Sequence, residues 1–103
     1  MMKEEIKIFL DNINSLSGYS EDNYKRYMTT LGLCLTRLRV FKEEVKNPLL
    51  DSWIEMAINE IDREYNIRLK TEFSKINPTR LNTEFLYSRS VVTLVLTNIL
   101  MNI

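Results

Sequence analysis

A chain of 103 residues can bury one substantial core but is too short for two domains. Its fourteen basic residues balance fourteen acidic ones, eight against seven over residues 1–47 and six against seven over residues 48–103, so no overall field gathers nucleic acid, an anionic membrane or an acidic substrate. Hydrophobic residues make up 45% of the chain and include one tryptophan, five tyrosines and four phenylalanines, which excludes a disordered segment.

The first predicted element covers about residues 2–16. Met2, Ile6, Phe9, Leu10, Ile13 and Leu16 fall on one face at helical spacing, and Ser17-Gly18 supplies a stop. The opening MMKEEIKIFLDNI mixes acids into its first turn and has no uninterrupted apolar core, so it does not read as a secretory signal. Together with a single cysteine, Cys34, this leads us to expect a cytoplasmic protein.

The second element, about 21–46, starts behind Ser20, a good N-cap, with Glu21 and Asp22 where the positive end of the helix dipole favours acids. Tyr24, Tyr27, Leu31, Cys34, Leu38, Phe41 and Val45 alternate spacings of three and four, flanked by Met28 and Leu35. Lys42 and Lys46 close it near the C-terminal carbonyls. Gly32 lies inside at a cost near 1 kcal/mol relative to alanine, which a close helix approach would explain.

Asn47-Pro48 is both a boundary and a start, because asparagine caps and proline suits the first helical position. Leu50, Ile54, Ala57, Ile58, Ile61, Tyr65, Leu69, Phe73 and Ile76 then carry a stripe through about 48–76, with Trp53 beside it. That length exceeds the usual globular helix, so a kink or early end near residues 66–71 is expected. Asn77-Pro78 stops it.

The fourth element covers about 83–101 and includes SVVTLVLTNILMNI, residues 90–103, with no charge and nine apolar residues. Strand alternation fails at Val91-Val92 and Leu94-Val95-Leu96. On a helical wheel, Phe85, Val92, Leu96, Ile99 and Ile103 form one stripe, and Tyr87, Val91, Leu94 and Met101 form another on the far side. A helix apolar all round must be covered all round: it is either the central helix of the domain, or its second stripe meets another chain. Fourteen helical residues span roughly 21 Å against about 30 Å of hydrocarbon, too few for a membrane span. The fold class read from this pattern is all-α, a small antiparallel bundle of three to four helices.

Chemistry is sparse. Without histidine the usual general base and zinc ligand are missing, and two isolated glycines build no phosphate loop. Cys34 on an apolar stripe reads as an inert thiol. The carboxylates Glu43, Glu44, Glu55, Glu60 and Glu64 invite comparison with the magnesium sites of all-α nucleotide pyrophosphohydrolases, whose ligands come from EExxE and ExxD patterns. The pattern fails here: Asn47 holds its third place and no ExxD follows. Arg39, Lys42 and Lys46 share a face, and Lys25-Arg26 stand earlier on the same helix, but acids interleave both groups. A helix-turn-helix around Asn47-Pro48 would carry Asp51, Glu55, Glu60 and Asp62 towards phosphate. The aromatic residues fall mostly on stripes, as core residues do, with Tyr19 and Tyr87 lying off them as candidate surface anchors.

These residues point to a non-enzymatic interaction protein of the inhibitor, immunity or antitoxin, or chaperone type, needing no cofactor or metal. Its partner is another protein or a second copy, contacted through Tyr87, Val91, Leu94 and Met101. A helical DNA-binding regulator is the alternative, and a metal-dependent nucleotide hydrolase fits less well.

Overall fold

The computed structural model describes residues 1–71 and 73–103, and for Phe73 the backbone alone. Four helices follow one another: α1 (Met2–Asn14), α2 (Glu21–Glu44), α3 (Pro48–Leu69) and α4 (Pro78–Met101), with one 3-10 turn over Phe73–Lys75 between the last two. No strand occurs among the described residues. The helices form a ring in which α1 lies against α2 and α4, and α3 lies against the same two from the other side. The domain measures 45 × 22 × 17 Å, a small all-α bundle.

Local chemistry sets the helix starts. The Ser20 hydroxyl accepts from the Asn23 N–H at 3.0 Å. Asn47 Oδ1 accepts from the N–H groups of Leu49 and Leu50, and Asn77 Oδ1 accepts from that of Arg80 at 2.8 Å. Each asparagine precedes a proline whose missing N–H costs nothing in a first turn.

One expected boundary holds and one differs. The stripe expected through 48–76 is α-helical only to Leu69, inside the 66–71 stretch where its length leads us to expect a kink or early end, and its last-turn carbonyls are taken up. The Tyr24 hydroxyl donates to the Arg68 carbonyl, and the Thr71 hydroxyl donates to that of Ile67. Continuing to residue 76 would also overrun the neighbouring helices by about 10 Å. The side chain of Phe73, placed on that stripe by spacing, lies outside the described residues, as does Glu72. The helix expected from about residue 83 begins instead at Pro78, since Asn77-Pro78 opens a helix by the same chemistry as Asn47-Pro48. Helices α1 and α2 end within two residues of expectation.

Glycine plays a different part from the one its position suggests. No glycine has a positive φ, so Gly18 is not a left-handed cap. A Cβ there would stand 2.9 Å from Asn82 Oδ1, the oxygen that accepts from the Tyr19 N–H at 2.8 Å. With Arg89 donating to the Leu16 carbonyl at 2.5 Å, this contact ties the α1–α2 loop to α4. Gly32 is not at a tight crossing either, because a Cβ there would meet only Tyr65 Cε2, at 3.9 Å. Gly32→Ala is therefore expected to stabilise the fold by about 0.5–1 kcal/mol, read as a higher urea midpoint with an unchanged slope.

Inside the ring lie Ile6, Ile13, Leu31, Leu38, Ile54, Ile61, Leu96 and Ile99, all fully buried. Tyr27 of α2 reaches across the ring to α4, packing edge-on against Phe85 at 5.1 Å and hydrogen-bonding Ser88 at 2.6 Å.

Candidate interaction surface

Helix α4 turns its two stripes in different directions. Phe85, Val92, Leu96 and Ile99 are buried, as expected of the inner stripe. Ile103, assigned with them, is exposed instead, because α4 ends at Met101 and the helical register stops there. Of the outer stripe, Tyr87 is 65% exposed, Leu94 61% and Met101 77%, while Val91 is half-buried. The all-round apolar character of α4 thus divides between a packed side and a solvent-facing one.

The neighbouring helix extends this surface. Asp51, Glu55 and Asp62 of α3 reach α2, pairing with Lys42 at 3.0 and 3.8 Å and with Arg39 at 3.7 Å. Those pairs fix one flank of α3. The opposite flank, spaced four and three, carries Leu49, Trp53, Met56, Glu60, Arg63 and Ile67 and must border α4. Glu84 of α4 pairs with Arg68 at 3.5 Å, which places the row Glu84, Tyr87, Val91, Leu94, Asn98 and Met101 on the α3 side of its helix. Leu49, Met56 and Ile67 are exposed and Trp53 is half-buried. Exposed apolar residues of two antiparallel helices therefore stand on the same side of the bundle. Sequence reasoning found only its α4 half; the α3 half was hidden because Glu60 and Arg63 interrupt the row.

The face has unlike ends. Glu60 and Arg63 pair at 3.3 Å, and Arg80 pairs with Glu84 at 3.0 Å, near Tyr87 and Ile67. The end carrying Leu49, Trp53, Met56, Leu94, Asn98 and Met101 has no charge. The far side of the bundle differs in kind: α1 and α2 expose Lys3, Glu4, Lys7, Asp11, Lys25 and Arg26, with Ile8 and Leu33 as their exposed large apolar residues within the helices.

Four of the other candidate groups are engaged in ion pairs. Arg39 and Lys42 engage α3 acids as above, Lys25 pairs with Glu21 at 3.6 Å, and Arg26 pairs with Asp22 at 2.9 Å. Among the described residues no three acids or cysteines come together as a metal site would need. Tyr19 is half-buried, its ring tilted against Tyr24 at 6.3 Å, so it belongs to the packing and not to a free surface. Among the described residues no helix is long and apolar enough to cross a membrane.

Cys34 is fully buried, and burial pushes its thiol up to about 12. Ellman's reagent is expected to leave the folded protein unmodified and to react at the rate of unfolding in urea. The same burial pushes Tyr24 up to about 12. Both groups are held neutral in the fold, so their contribution is complete below the unfolded pKa values, about 8.5 and 10, and is lost as pH rises towards 12.

No family model matches the chain, and no curated protein or solved structure is significantly similar to it.

Proposed function

We propose that this chain is a non-enzymatic protein-binding module that seats a partner surface on the α3/α4 face, acting by occupation as small inhibitors, immunity or antitoxin proteins and chaperones do. The reading rests on one observation above the rest. Six of the chain's exposed large apolar residues, Leu49, Met56, Ile67, Tyr87, Leu94 and Met101, belong to one two-helix face, and apolar patches of that extent on small proteins mark contact sites. Tyr87 and Met101 are residue types enriched in interface centres, and the ion pairs at one end supply a polar rim.

Capture from a lysate of the source cells tests the reading, with wild-type protein compared against Leu94→Glu on the same support. A protein held by the wild type and lost by the variant supports it. An identical set of captured proteins overturns it.

A further inference from the structure

Helix α3 changes what it buries part-way along. Its earlier turns put Leu50, Ile54, Ala57 and Ile61 into the core, whereas its last two turns, residues 63–69, bury Glu64 and most of the Arg68 side chain. On those turns Ile67 and Leu69 are exposed and Tyr65 is half-buried. We infer that these two turns come away from the bundle as a unit while the rest of the domain stays folded, and that the Glu64 carboxylate sets the balance between the closed and open forms. The opening is independent of the protein-binding reading of the α3/α4 face.

The balance is close because little apolar burial holds the turns down. Each fully buried aliphatic side chain shifts such an equilibrium by about ten- to hundredfold, and residues 63–69 bury none. Glu64 pulls the other way. It is 2% exposed, its Oε1 accepts no hydrogen bond among the described residues, and Arg63, 3.9 Å away, is mostly in solvent. Arg68 Nε donates no hydrogen bond either. Both atoms regain water when the turns leave. Against this stand the Tyr24 hydroxyl on the Arg68 carbonyl, the Arg68–Glu84 contact at 3.5 Å and the Tyr65 ring beside Gly32, where an added Cβ would still be 3.9 Å away. The polar members of that set are readily replaced by water.

The rest of the domain does not depend on these turns. Glu64 and Ser88 are the buried polar side chains among the described residues, and the Arg68–Glu84 pair places them near one level of the bundle. Ser88 is satisfied by Tyr27, which also packs on Phe85, so α2 and α4 stay joined across the ring when the end of α3 departs. Two turns are too short to remain helical alone, and leaving the bundle therefore unwinds them and frees their amides. Ile67 travels with them. The charged end of the α3/α4 face is thus movable, and the end carrying Leu49, Trp53 and Met56 is fixed.

Native-state amide exchange by NMR, in rising but sub-denaturing urea, reads the opening. The amides of residues 66–70 are expected to be on the order of a hundredfold less protected than those of residues 54–61, and to share one opening equilibrium with one shallow urea dependence. Glu64→Met should raise the protection of that block about tenfold. Ile54→Val should lower the protection of residues 54–61 several-fold and leave the block unchanged.

Protection that declines residue by residue towards Lys70, each amide with its own urea dependence, overturns the unit, since that is ordinary fraying. A block that follows residues 54–61 in urea, or falls with them in Ile54→Val, overturns the separate opening. A block unmoved or less protected in Glu64→Met overturns the role of the carboxylate.

Discussion

Phe85→Ala is expected to cost about 3–5 kcal/mol, a large share of the about 5–15 kcal/mol that holds a domain together, and so to leave the protein partly unfolded near physiological temperature. Phe85 is 1% exposed and stands where α4 meets Tyr27, which crosses the ring from α2. Deleting its ring opens a cavity in the core between α2 and α4, which face each other across the ring. Collapse into that space is resisted because Tyr27 is anchored at its hydroxyl by Ser88. Tyr27→Phe is the useful comparison. It keeps the ring and removes one buried hydrogen bond, worth about 1 kcal/mol, so urea unfolding should rank Phe85→Ala well below Tyr27→Phe. If the two fall together, the centre of the bundle is loosely packed and α4 is held by its neighbours alone.

That diagonal contact shows where sequence reading ends. The stripe through Tyr27, Leu31, Cys34, Leu38 and Phe41 predicts α2 and its buried face, because a strict alternation of three and four leaves one helical solution. Asn47-Pro48 predicts the start of α3 for a similar reason, and Asn77-Pro78 carries the same information for α4, although a proline after a long stripe reads first as a stop. The α4 stripe of Tyr87, Leu94 and Met101 is legible as a second apolar side. Its continuation across Leu49, Trp53 and Met56 is not, because periodicity orders residues around one helix and says nothing of which flank a neighbour takes. Only the pairs from Lys42 and Arg39 to α3 on one side, and from Arg68 to Glu84 on the other, join the two rows into one face. Buried polar residues are illegible for a related reason. Glu60 falls by spacing on the outer flank and meets solvent, whereas Glu64, three residues after Ile61 and seven after Ala57, falls on the buried stripe and is 2% exposed, although a glutamate reads first as a solvated residue.

Glu64→Met is expected to stabilise the protein by about 1–2 kcal/mol, an unusual sign for a change in a core. The Glu64 carboxylate has left water without gaining good partners. Its Oε1 has no hydrogen bond, and its ion-pair neighbour Arg63 stands 3.9 Å away and is mostly in solvent. A cation so placed returns little of what desolvating a carboxylate costs. Methionine fills nearly the same volume, adapts its three torsions to the available space, and asks for no partner. Arg68, one turn further along α3, keeps its contact with Glu84 in the variant, so no new unpaired charge is created. Its Nε lacks an acceptor already. Urea unfolding at neutral pH measures the outcome, with the midpoint expected to rise and the slope to stay constant. A fall of 1 kcal/mol or more would show that the carboxylate is bound by ordered water or by the Arg68 guanidinium within the core. Glu64 and Arg68 would then act as one buried polar pair that fixes the register of α3 against α4, and with it the alignment of the two rows that form the apolar face.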